Sequence, residues 1–326
     1  MRVGNPWTHL AAVAVAVGVL AAADGVAIAQ QKSAAPTARR FATPEEATEA
    51  VVGALRSGSL KALIDILGPE ARPLVSTADQ AADRAKREDF LKEFDEAHRL
   101  EMKGDDKAIL SVGKDDWPMP IPIVRSKGKW YFDTRAGKDE ILNRRIGENE
   151  LSVIQTCLAY VDAQREYYRE PHDRSGVLEY AQKIRSTPGL RDGLYWESAP
   201  NPPESPLGPL AARASTQGYK RRGAGAGPSP YHGYYFRILT SQGPDAPGGA
   251  YDYIANGHMI GGFALVAFPA EYGVTGVMSF IVNQDGVVYQ KNLGPNTATL
   301  GRDMKRFNPD STWTKVDAAA LAGLGR

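Results

Sequence analysis

Apolar positions along the middle of the chain recur at helical spacing. Leu142, Ile146, Ile154, Leu158 and Val161 follow one another at near-helical intervals, with Leu151 and Cys157 beside them. Arg144, Arg145, Glu148, Asn149, Asp162, Gln164 and Arg165 fill the positions between and predict the wetted face. The stretch Asp139 to Tyr168 therefore predicts a long helix, or two helices meeting at Gly147, a residue that costs about 1 kcal/mol relative to alanine inside a helix. At about 1.5 Å per residue such an element spans roughly 45 Å, enough to join two small cores.

Upstream, Thr43-Pro44-Glu45-Glu46 has the form of a capping box with proline in the first turn. Ala47, Ala50, Val51, Ala54 and Leu55 then mark one helical face. Leu60 to Leu67 predicts a second helix stopped by Gly68-Pro69, and Asp79 to His98 a third with Phe90, Leu91 and Phe94 inward. The pattern then shortens to strands: Ala108 to Val112, the proline-alternating Trp117 to Val124, and a turn at Ser126 to Lys129 leading into Trp130 to Asp133. Proline at every second position fits an edge strand or an extended segment. Asp115-Asp116 reads as a solvated turn, because neighbouring strand residues point to opposite faces.

Downstream of the central helix, Val177 to Ile184 predicts a short helix and Leu207 to Ala214 another. Strands are expected at Tyr234 to Thr240, at Met259 to Phe268 with a break at Gly261-Gly262, at Gly276 to Asn283, at Val287 to Lys291 after an Asp285-Gly286 turn, and at Trp313 to Val316 on an edge. The glycine-rich loop Gly223 to Pro230 lacks the Gly-Lys-Ser/Thr of a phosphate cradle. The chain thus divides into a leader over 1–29, a flexible lead over 30–40, an α+β domain over 41–137, a second α+β domain over 138–317 that includes the connecting helix, and a tail over 318–326.

Arg2, the apolar run Leu10 to Ala23 and the small residues Ala27 and Ala29 make up a secretory signal peptide cleaved after Ala29. Its apolar core is short for a membrane span, and the sequence offers none after cleavage. A periplasmic or secreted protein is the expectation. Formal net charge is +1, which gives no basic face for nucleic acid. Cys157 is the single cysteine, so no intrachain disulfide or cysteine metal cluster can form.

Candidate chemistry lies in the second domain. Tyr231, His232 and Tyr235 form an aromatic cluster able to line a ligand pocket or to pack on a sheet. Asp252, His258 and Glu271 add titratable groups, and His232, Asp252, His258 and Glu271 are expected to converge at one sheet end if the protein is a hydrolase. No HExxH pair and no G-x-S-x-G elbow occurs. No catalytic residue, metal or cofactor is assigned. The partner class is an envelope protein or polymer, and the leading expectation is a non-catalytic binding or assembly module, with an envelope hydrolase as the alternative.

Three resemblances bear on this. Helices followed by a meander ending Gly128-x-Trp130-x-Phe132 resemble the nuclear-transport-factor-like cone, which implies a cupped α+β fold. The segments DDWPMPIPIV, ILNRRIGENEL, AYVDAQREYY, STPGLRDGLYW and GVMSFIVNQDGVVYQKNLGP are similar to a bacterial exported domain-of-unknown-function family (number 2950), from about Phe41 to Val316. That resemblance implies no catalytic residues. Ala163 and Tyr167, Gly233 to Phe236, Ala267 to Pro269 and Gly276 to Val287 resemble the globular domains of type IV pilins and pseudopilins. This implies a helix packed on an antiparallel sheet. Pilins begin with a membrane half-helix, whereas here a signal peptide and a whole domain come first.

Overall fold

The computed structural model describes residues 38–197, 204–219 and 229–317. The segments read from sequence as a signal peptide over 1–29, a lead over 30–40, the glycine-rich loop and a tail over 318–326 lie outside the described residues, apart from positions 38–40 and 229–230. The described chain is mixed α+β, with seven α-helices and antiparallel sheets. It belongs to one compact unit with two hydrophobic cores.

The first core gathers α1 (Pro44–Ser57), α2 (Leu60–Leu67), α3 (Arg72–Val75) and α4 (Gln80–Glu96) against a five-stranded sheet. Local chemistry sets the helix starts. Thr43 Oγ1 accepts from the Glu46 amide at 3.1 Å, while Glu46 reaches back to the Ala42 amide at 2.9 Å. Ser59 and Asp79 cap α2 and α4 in the same way. The sheet runs β1 (His98–Met102), β2 (Lys107–Val112), β4 (Ile123–Ser126), β5 (Lys129–Phe132), with the two-residue β3 (Trp117–Pro118) also paired to β2. The proline-rich stretch is thereby split: two short strands flank Met119 to Pro122, and Gly137 packs directly on Pro120.

Helix α5 (Thr134–Tyr167) is unbroken over 34 residues, about 50 Å, and runs straight through Gly147. The two-helix alternative is thus excluded, and the helix starts five residues earlier than the apolar spacing indicated. It serves both cores. Leu142 belongs to the first, and Val153, Ile154, Cys157, Tyr160 and Val161 to the second. Two positions read from sequence as wetted face inward instead. Gln164 is fully buried and exchanges hydrogen bonds with the Ala181 backbone. Arg145 donates to the Pro73 and Leu74 carbonyls.

The second core lies between α5 and the sheet β14 (Thr314–Lys315), β13 (Tyr289–Asn292), β12 (Met278–Asn283), β11 (Ala264–Pro269), β6 (Tyr234–Leu239). Every residue of β11 is buried, as its unbroken apolar run requires of an interior strand. Two small hairpins flank the sheet, β7 (Ser241–Gln242) with β8 (Tyr251–Asp252), and β9 (Ile254–Ala255) with β10 (His258–Met259). Helix α6 (Gly208–Thr216) precedes β6, and α7 (Thr297–Asp303) packs on β11.

The helix expected at Val177 to Ile184 does not form. That segment is extended, and its backbone finds tertiary partners. Tyr180 donates to Met259 O, Ala181 to Gln164 Oε1, and Lys183 and Ile184 accept from Leu194 and Tyr195. With those partners in place, the apolar spacing is satisfied without an intrahelical ladder.

Candidate functional site

A cavity of about 530 Å³ opens between the N-terminus of α4, the middle of α5, the edge strand β6 and helix α6. Thr156 and Tyr160 of α5 line one wall, and Tyr235 and Phe236 of β6 with Leu265 of β11 another. Leu210, Ala211 and Ala214 of α6 form the third, and Tyr195, Tyr219 and Tyr231 complete the aromatic lining. Charged residues line it as well: the buried Asp79 and the exposed Arg84 and Arg185. Arg185 lies 3.5 Å from Glu197. The volume falls in the range of small-molecule sites, and an apolar surface with few polar groups is their usual lining.

Asp79 organises one end. It is 3% exposed, and its carboxylate accepts from Ala82 N at 3.1 Å, Tyr219 Oη at 2.8 Å and Gly233 N at 2.8 Å. Tyr219 Oη in turn accepts from the His232 amide at 3.0 Å. The rings of Tyr219 and Tyr231 meet edge to face at 4.9 Å, and Tyr231 and His232 lie 4.2 Å apart. Burial drives the His232 imidazole below its ordinary pKa, only partly offset by Asp79, so the ring is neutral at pH 7. Burial, then the neighbouring Asp79 charge, holds the Tyr219 phenol far above its ordinary pKa, in its protonated form. Tyr160 is likewise kept protonated by burial, and its hydroxyl donates to Ala264 O at 3.2 Å while accepting from Gln164. These two hydroxyls are committed to the scaffold.

Sheet register decides which of the candidate residues meet. Strands β6 and β11 pair from Leu239 opposite Ala264 to Tyr234 opposite Pro269. His232 and Glu271 therefore flank one end, where Glu271 accepts from the Ala78 amide beside Asp79. Asp252, paired with Ser241, and His258, on β10 ahead of β11, lie toward the other end, about 17 Å away along a six-residue strand. The four groups expected to converge are divided into two pairs, because each pair flanks a different end of the same strands. Asp252 is exposed, and His258 is half-buried beside Glu179. Tyr231 and Tyr235 line the cavity; His232 abuts it through Tyr219 and Tyr231.

Asp79, Tyr160, Tyr195 and Tyr219 were not legible as site residues. Asp79 carried only the signal of a helix cap, and Tyr160 that of a core position on α5. Cys157 takes no part: it is buried, and desolvation pushes its thiol up to about 12. Among the described residues no helix is long and apolar enough to cross a membrane.

No curated protein and no solved structure matches the chain. A protein family does: the one described as Protein of unknown function (DUF2950) matches residues 38–316, and the chain belongs to that family.

Proposed function

We propose that the protein is a binding module of the cell envelope that takes a small amphipathic molecule, or an apolar stretch of a partner, into the cavity between α4, α5, α6 and β6. The observation that carries this reading is the lining: five tyrosines and Phe236 around about 530 Å³, with the scaffold-bound Asp79 and the exposed Arg84 and Arg185 as its charged groups. An aromatic wall of this kind stacks on flat or apolar groups, and Arg84 at the rim meets an anionic tail. The protein reaches the envelope through the leader over 1–29 and acts there as a periplasmic or secreted component. In this reading the long helix laid on an antiparallel sheet is a rigid holder, in keeping with the cone-like and pilin-like resemblances of the two halves. Division of the holder near residue 137 belongs to the same proposal. The hydrolase alternative gains no support, since its His232, Asp252, His258 and Glu271 are split between two sheet ends.

The test is capture. Purified protein is incubated with a small-molecule and peptide extract of bacterial envelope, washed, and its bound fraction identified by mass spectrometry. A variant with Ala214→Trp, which fills the cavity from α6, serves as the blocked control. The expected result is a species enriched at least about tenfold on the wild type over the variant. Equal recovery on both, with the variant folded, would remove the cavity from consideration.

A further inference from the structure

At the sheet end away from the cavity, three side chains with metal-ligating atoms face one another. His258 Nδ1 lies 3.3 Å from Glu179 Oε2, and ligand atoms of Asp173, Glu179 and His258 all lie within 4.8 Å of one another. They come from two different parts of the chain. Asp173 sits in a turn and Glu179 in the irregular stretch after it, both following α5, and His258 belongs to the β9–β10 hairpin. The segment is docked on the hairpin by its backbone: Tyr180 N donates to Met259 O at 2.8 Å, and Gln182 Nε2 to Gly257 O at 2.7 Å.

Two features separate this cluster from an ordinary ion pair. First, His258 Nδ1 is buried and makes no hydrogen bond, although a carboxylate oxygen is 3.3 Å away. A buried ring nitrogen without a partner is uncommon and calls for one. Second, Glu179 Oε2 accepts from the Met259 amide at 3.2 Å, which fixes the carboxylate toward the imidazole. Oriented carboxylates of this kind support metal ligands. Donor spacing agrees. Zinc bonds of about 2.0 to 2.1 Å at tetrahedral angles place neighbouring ligand atoms about 3.3 Å apart. Asp173 is exposed, with one oxygen holding the Ser175 amide and hydroxyl, and its ligand atom lies within 4.8 Å of the other two.

We propose that His258, Glu179 and Asp173 form a divalent-cation site for which zinc is the fitting ion. One imidazole and two carboxylates with an open fourth position suit zinc, whereas calcium asks for more oxygens. The ion clamps the extended segment to the hairpin, two pieces that have no helix or long strand of their own. It stands apart from the cavity, so neither proposal depends on the other.

The test uses the whole protein stripped of metal by chelator and dialysed against zinc, with bound metal measured by inductively coupled plasma mass spectrometry. One equivalent per chain is expected. His258→Ala should weaken binding at least about tenfold, competed against a chromophoric chelator, and Glu179→Gln should do so too while keeping an acceptor for the Met259 amide. Zinc should raise the melting temperature of the wild type and leave that of His258→Ala unmoved; circular dichroism checks that the variants fold. Less than a tenth of an equivalent on the wild type, or retention unchanged in both folded variants, would reduce the cluster to an ion pair only and overturn the proposal.

Discussion

Asp79 does three things with one carboxylate. It caps α4, holds the Tyr219 hydroxyl and anchors the Gly233 amide, so a side chain at a helix start reaches 154 residues along the sequence. Replacing it by alanine removes a cap worth about 1 kcal/mol and two charge-assisted hydrogen bonds of about 1.5 kcal/mol or more each. Such terms do not add fully, so Asp79→Ala is expected to cost about 3 kcal/mol in urea unfolding at pH 7, and Asp79→Asn, which keeps one acceptor, less than half of that. A loss below about 1 kcal/mol in the alanine variant would mean that Tyr219 and Gly233 find other partners. Sequence showed Asp79 at a helix start but not what it touches. Capping is local and leaves a local signature, whereas the contacts to Tyr219 and Gly233 exist only after the chain has folded back. The same reason hid Gln164, whose amide looks solvent-facing until Ala181 arrives beside it.

Helix α5 carries two glycines of opposite meaning. Gly147 has open space where a Cβ would sit, and its helical backbone suits alanine. At Gly137 a Cβ would lie 2.4 Å from the Pro120 backbone. Gly147→Ala should therefore stabilise by about 0.5 to 1 kcal/mol through helix propensity. Gly137→Ala should destabilise by about 1 to 3 kcal/mol, since the proline-rich segment must move away. Thermal unfolding of the two variants checks both signs, and a destabilised Gly147→Ala would indicate a bend at that position. Elements were legible where period and cap agreed: α1, α2, α4, the β4–β5 hairpin and the strands β6, β11 and β12 lie close to where the pattern places them. Val177 to Ile184 failed because apolar spacing at three and four describes burial on one side. An extended segment docked on a hairpin and on Gln164 meets the same requirement.

At the scale of the molecule, α5 ties the two cores together, and the tryptophans report on them separately. Trp117 and Trp130 belong to the first core, Trp196 and Trp313 to the second. Glu150 on the same helix accepts from the Val277 and Met278 amides at 2.9 and 2.8 Å, fastening it to β12. Unfolding one core would strip a shared helix of half its support. Single-tryptophan variants should therefore give coincident urea transitions, and Leu110→Ala, a loss of about 3 kcal/mol in the first core, should shift both reporters alike. Separate midpoints would show that the cores melt independently. The cavity has a consequence of the same kind. Its walls come from α4, a helix of the first core, and from α5, α6 and β6 around the second. Whatever lodges there adds mortar between two masses already joined by α5, by Asp79 and by Glu271. Occupancy and resistance to melting are then thermodynamically linked, by about 2.7 kcal/mol at a concentration one hundred times the dissociation constant. A melting curve becomes a chemical sensor, able to recognise the right molecule before anyone has guessed its structure.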